Sequence, residues 1–277
     1  MAFGLKEDKD RPTLGYGSYL RLAELLDLQH AQSDPAHHDE MLFIVMHQVY
    51  ELWFKQILHE LDGVIDLLDR DDVLEAHRLL RRCIEIQRLL IQQLTVLETM
   101  TPNDFLGFRD HLRPASGFQS AQFRAIEFVS GLKNAKHLEY FHDDGVNRPA
   151  LEKRLSGRTL MDAFYGALER RGFDVDASKT SPDDAERGRR IAALVRIYED
   201  ARDHRDLYLL AETFLDYDEL FGAWRHRHVA MAERMIGAKP GTGGSEGVGY
   251  LRSTTSRRFF EELREVRSHL GTPEDYA

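Results

Sequence analysis

Cysteine is almost missing from this sequence. Cys83 is the only one in 277 residues, so no intramolecular disulfide, no thiolate zinc cluster and no CxxCH attachment site for a covalent heme can form. Long apolar runs are missing too: none approaches the roughly 20 residues needed to span a bilayer. Residues 1–10 are polar and of mixed charge, without the apolar core of a secretory signal, so a cytoplasmic location is expected. There is no long basic run, and the formal net charge is -10. That balance disfavours nucleic acid and anionic membrane surfaces as partners. Period-two alternation, internal repeats and low-complexity tracts are also lacking, which leaves no basis for a sheet. What is present is a chain 42% hydrophobic and 30% charged, a globular mix long enough to enclose a cofactor in its core.

The pattern predicts an all-α fold. The first ~35 residues, with Gly15, Gly17 and neighbouring turn residues, read as an extended arm carrying a short helix over 19–28. From 39 to 69 apolar residues recur at helical spacing (Leu42, Val45, Met46, Val49, Trp53, Ile57, Leu61), and from 71 to 100 the pattern repeats. Thr101-Pro102 marks a stop and then a helix N-cap. Residues 113–119 read as a loop and 122–133 as a helix. The stretch 147–203 is more charged and less apolar, with helices expected over 160–170 and 185–198 around a polar break at 173–183; it reads as an inserted helical element. A long helix follows over 203–236, then a glycine-rich loop at 237–249 and a last helix over 257–270, stopped by Gly271-Thr272-Pro273. The expected organisation is an arm over 1–35, a helical core from 36–146 and 204–277, and the insertion over 147–203.

The helix over 203–236 carries the sharpest signal. Leu207, Leu210, Phe214, Tyr217, Phe221 and Trp224 form a core-facing stripe, and His228 continues it before Met231 and Met235. An imidazole where the pattern calls for a large apolar side chain needs a partner, because a bare buried polar group costs about 1–3 kcal/mol. A heme iron between aromatic and methionine surfaces is one such partner; a core hydrogen bond is the other, and the spacing leaves both open. His226 falls off the stripe and is expected to be exposed. His47 shares a direction with Phe43, Tyr50 and Phe54, which suits either a hydrogen-bonding group in an aromatic pocket or a core histidine bonded to a carbonyl. Phe105 and Arg109 stand four apart, on one face if that turn is helical, and an arginine beside aromatics can grip a carboxylate. Gly241-Thr242-Gly243-Gly244-Ser245 lacks a Walker lysine and reads as a surface loop or as a backbone cradle for a small anion. Glu139 and His142 form a single Glu-x-x-His; a di-iron bundle needs two, so a carboxylate metal centre is not expected.

Several long segments in register resemble the tryptophan 2,3-dioxygenases, in particular their compact bacterial members. They are the run from Phe43 through His47 to Gln56, the Phe105 to Arg109 segment followed by Ser116-Gly117-Phe118-Gln119-Ser120, Trp224-Arg225-His226-Arg227-His228, and Gly241 to Ser245. The fit extends from Tyr16 to about Ser253. The resemblance implies a helical bundle enclosing a pocket for heme b, ferrous in the active state, and a homotetramer. It implies cleavage of the indole C2–C3 bond of L-tryptophan by O2 to give N-formylkynurenine, the first step of the kynurenine pathway. His228 then matches the proximal iron ligand, and His47 the distal histidine facing the indole NH. Arg109 and Thr242 match groups that hold the amino-acid end of the substrate; Phe43 matches a pocket wall and Ser116 a residue near the heme edge. Tyr16, Tyr19 and Leu20 match arm residues that reach into a neighbouring subunit's site. Phe105 stands where some bacterial members carry a tyrosine, so a hydroxyl contact to the substrate carboxylate is lost here. A non-enzymatic helical sensor of heme or indoles is the alternative from another class, and a helical scaffold with core histidines is the third.

Overall fold

A computed structural model of the chain describes residues 14–271. The polar segment 1–10 and the expected stop at Thr272-Pro273 lie outside the described residues. The described residues form α-helices joined by turns and short 3-10 segments, with no strand among them. The all-α expectation is borne out.

Two short helices, α1 (Tyr16–Leu20) and α2 (Leu22–Leu25), stand where one was expected. Arg21 separates them in the left-handed region, with φ 52°. The body is built on α3 (Glu40–Asp69), α4 (Val73–Leu97) and α10 (Arg205–Ile236), with α4 packed against both of the others. Ile57, Leu61, Val64 and Leu68 of α3 meet Leu80 and Ile84 of α4 and Leu207, Leu210 and Phe214 of α10 in one core. Every one of these side chains is fully buried. Helix α8 (Leu160–Arg170) packs on α3 and adds Leu160, Phe164 and Leu168 to the same core, although it lies in the 147–203 stretch.

Local chemistry sets the helix starts. Asp72 accepts the Glu75 backbone N–H at 3.4 Å to begin α4. Thr101 and Asp104 form a capping box for α5 (Pro102–Phe108), which has proline in its first turn. Thr159 and Asp162 form another for α8, and Asp183 caps α9 (Asp184–Glu199). Before α3, buried Glu40 accepts the backbone N–H groups of Gln32 at 2.7 Å and Ser33 at 3.1 Å, tying the arm's end to the helix.

The structure corrects several boundaries. Helix α6 (Ala121–Val129) ends before 133, because Gly131 takes φ +113° and turns the chain. Helix α7 (Asn147–Ser156) forms where no helix was expected. It buries only Leu151, so its sequence carries no apolar stripe. The glycine-rich loop gives way early to α11 (Val248–Ser253). The last helix shrinks to α12 (Glu261–Glu265) and a 3-10 turn at Val266–Ser268. Consecutive Phe259 and Phe260 are both buried just ahead of α12, and Asp218 accepts the Phe259 N–H at 3.0 Å.

Candidate active site

At one end of the bundle the core opens. The first turns of α3, the last turns of α4 and α10, helix α5, and the segments around Ser116 and Thr242 enclose a cavity of about 320 Å³. Its walls are mainly apolar: Met46, Leu94, Leu97, Met100, Phe105, Phe123, Met231 and Met235 among them. Helical spacing explains the convergence. Residues 43, 47, 50 and 54 repeat on one face of α3, and 224, 228, 231 and 235 on one face of α10.

Phe43, His47, Phe105, Arg109, Ser116, Thr242 and His228 all line this cavity. Tyr16, Tyr19 and Leu20 do not; they stand on α1 with 78%, 69% and 40% of their surface exposed. His226 is exposed as expected, its ring nitrogen bonded back to the Gly222 carbonyl. Among the described residues no group of His, Cys, Asp and Glu is arranged to hold a metal ion by itself, which includes the Glu139–His142 pair.

His228 faces the cavity with its ring stacked near Trp224, centroids 5.1 Å apart. Trp224 is fixed in turn: its indole N–H points at the Tyr50 hydroxyl at 3.4 Å, and that hydroxyl donates to the Leu90 carbonyl. Among the described residues nothing hydrogen-bonds the His228 ring. Burial pulls its pKa down to about 4, with His47 adding a smaller push, so the imidazole is neutral at pH 7.

His47 is held differently. Its Nδ1 lies 2.7 Å from the Phe43 carbonyl. A carbonyl only accepts, so Nδ1 carries the proton and Nε2 is left as a bare acceptor. The ring's open surface belongs to the cavity wall, yet the protein around it still desolvates it. Burial therefore lowers its pKa, against weaker opposing effects of the Phe43 carbonyl and Glu51. Phe43 lies over the same ring, centroids 4.1 Å apart, and stacks at 5.6 Å on Phe105.

Phe105 lies in α5, and Arg109 opens the 3-10 turn Arg109–Leu112 that follows it directly, so the helical turn on which a shared face was conditional ends just before Arg109. Both side chains still reach the cavity. Arg109 is 6% exposed and donates to the Pro240 carbonyl. Among the described residues no carboxylate pairs with it. The glycine-rich segment lies against the 115–116 turn: Thr242 donates its hydroxyl to the Ala115 carbonyl at 2.7 Å. A Cβ on Gly243 would come within 2.5 Å of the Ser116 Cβ, so only glycine fits this approach.

Further groups on the wall escaped the sequence reading. Arg124, Glu127 and Arg225 are each at most 4% exposed and form one ion cluster. Arg225 precedes His228 by three residues and so shares its side of α10. Glu51, one turn beyond His47, accepts from Gln122 at 2.8 Å. Tyr250 brings a buried hydroxyl with no hydrogen-bond partner among the described residues.

A family model described as tryptophan 2,3-dioxygenase matches residues 4–172 and 152–270. The chain belongs to that family. A tryptophan 2,3-dioxygenase of a Nocardioides species is 48% identical over 262 residues, which is 93% of this chain and 95% of the relative. Those of Kineococcus radiotolerans and Myxococcus xanthus are 44% and 43% identical, over 94% and 93% of this chain and 92% and 90% of their own lengths. The likeness thus spans both the helices that build the cavity and those that support it. Among the described residues no helix is long and apolar enough to cross a membrane.

Proposed function

We infer that this chain is a heme-dependent dioxygenase that cleaves the indole C2–C3 bond of L-tryptophan with O2 to give N-formylkynurenine. One observation carries the reading: a buried arginine without a carboxylate partner shares an apolar cavity with two neutral imidazoles that each present a free nitrogen to it.

The residues fit a heme. A neutral imidazole with no protein partner, flanked by Trp224 and Met231, offers the donor that heme iron takes from a histidine. His228 would be that ligand. When bound, ferrous heme b supplies the activation of triplet dioxygen, which tryptophan alone cannot overcome.

The protein's own part is placement. Arg109, rigid in its tight turn and desolvated, pairs with the substrate carboxylate, which removes the cost of its own uncompensated charge. Thr242 stands at the same rim to contact the amino-acid end, and Ser116 supports it from below Gly243. Phe43 and Phe105 flank the indole plane; with phenylalanine at 105 no hydroxyl assists Arg109. His47 accepts the indole N–H at Nε2, because the Phe43 carbonyl holds the proton on Nδ1. Its lowered pKa makes it a weak base, so it orients the indole rather than deprotonating it. Apolar walls exclude water from the reacting ring. The exposed arm residues Tyr16, Tyr19 and Leu20 are assigned to the site of a neighbouring subunit in a homotetramer.

The test is product formation by heme-supplied, reduced protein under air. N-formylkynurenine from L-tryptophan is expected. A heme-loaded protein that binds tryptophan but forms no product would be the sensor instead; nothing in the site favours that reading. Turnover of 1-methyltryptophan should survive in His47→Ala if the histidine only orients the N–H.

A further inference from the structure

The ion cluster on the cavity wall is unbalanced. Glu127 accepts from Arg124 at 2.5 Å and from Arg225 at 2.8 Å, and Arg257 stands 3.9 Å away. Arg225 spends its other terminal nitrogen on the Thr254 carbonyl at 3.0 Å. The Arg124 side chain makes no other hydrogen bond among the described residues, and its Nε is buried without a partner. Asp218, whose charge also acts on Arg225, is engaged by Arg264 at 3.1 Å and by the Phe259 N–H. Two desolvated guanidiniums therefore share one carboxylate, with a third cation at the margin. Leaving a buried cation uncompensated costs several kcal/mol, and guanidinium forks match carboxylates. Both arginines line the cavity, and Arg225 lies one turn before His228.

We propose that Arg124 and Arg225 form the seat for a propionate carboxylate of the heme whose iron His228 would hold. This rests on the heme reading above. Arg109 is the carboxylate site for the amino acid; Arg124 and Arg225 form a separate one for the cofactor. Glu127 holds the two guanidiniums in place and limits their excess to what one anion neutralises.

The experiment measures how fast the full-length, heme-loaded protein gives up its cofactor to excess apomyoglobin. It compares protoheme with its dimethyl ester, which has no carboxylate. The wild-type chain should lose the ester roughly tenfold faster or more. Arg124→Gln and Arg225→Gln should speed loss of protoheme to a similar extent and leave ester loss unchanged. Glu127→Gln, which removes the competing anion and keeps the shape, should slow protoheme loss.

Equal loss of heme and ester from the wild-type chain overturns the proposal, and this arm needs no variant to fold. Equal acceleration of both cofactors in the arginine variants overturns it too, since packing alone would then be at work. Unchanged heme loss with weakened tryptophan binding would make the cluster a substrate site and overturn it as well. A chain that binds neither cofactor defeats the heme reading itself, a separate outcome visible in the absorption spectrum.

Discussion

Helices α3, α4 and α10 run through both ends of the bundle, yet the ends differ completely. At one end Leu61, Val64, Leu80, Ile84, Leu210 and Phe214 close on one another with no exposed surface. At the other, the same helices turn His47, Tyr50, Trp224 and His228 inward around a cavity. Backbone and spacing are the same; only the inward-facing side chains change. The closed end packs these side chains in apolar contact with one another. Among the described residues, the open end leaves His228 without a hydrogen-bond partner and Arg109 without a carboxylate, positions that the proposed ligands would fill. Stability and chemistry are thus placed at opposite ends of shared helices, so substitutions at the two ends should separate.

The largest separation is expected from His228→Ala. Heme-supplied protein should carry no heme absorbance and form no N-formylkynurenine. Its heme-free unfolding free energy should fall by only about 0.5–1.5 kcal/mol, because the ring loses its stacking on Trp224 but, among the described residues, no hydrogen bond. A retained heme band would break the comparison. Next comes Arg109→Gln. Losing a desolvated charge pair costs about 2–5 kcal/mol, so kcat/KM for tryptophan should fall roughly thirtyfold or more. Tryptamine, which has no carboxylate to pair with Arg109 and is therefore expected to be a poor substrate of the parent, should lose little, and selectivity between the two should collapse. An unaltered ratio of the two rates would remove Arg109 from its role. Leu61→Ala is the mirror experiment at the closed end. It should cost about 2–5 kcal/mol of stability by denaturant titration. Kinetic constants at 25 °C should match the parent wherever the variant remains folded.

The two ends also differed in legibility. Helices α3 and α10 were readable because their stripes are long and periodic, and their observed ends fall within two residues of the expected ones. His228 and His47 could be picked out as polar residues at the edge of or inside such stripes. The fate of those imidazoles was not readable: a carbonyl bond and an open cavity face give the same spacing. His47 in fact has both, one at each ring nitrogen. The Arg225–Glu127 pair joins residues 98 apart, a contact that no local pattern encodes. Arg124 and Glu127 are three apart and were visible, but such pairs usually lie on a wet helix surface. Helix α7 was lost because burying one leucine leaves no period to detect.

The smallest effect is expected from a pair of capping boxes at α-helix starts, Thr159–Asp162 at the closed end and Thr101–Asp104 at the open end. Thr159 accepts the Asp162 N–H at 3.1 Å, and Asp162 accepts the Thr159 N–H at 2.8 Å, to start α8 against the closed core. Thr101 and Asp104 do the same at 3.3 Å and 3.0 Å for α5, which carries Phe105 and leads into Arg109. Thr159→Ala should cost about 1 kcal/mol of stability and leave KM for tryptophan unchanged. Thr101→Ala, at a more exposed helix start, should cost less stability but raise KM a few-fold by loosening the turn that aims Arg109. The Thr101 hydroxyl, then its backbone N–H, holds the Asp104 carboxyl below its ordinary range. That contribution is present above an unfolded-state pKa of about 4 and is lost as pH falls through the lower folded value. The stability gap between parent and Thr101→Ala should therefore narrow in acid. If Thr159→Ala moved KM and Thr101→Ala did not, the division of labour between the two ends would be wrong.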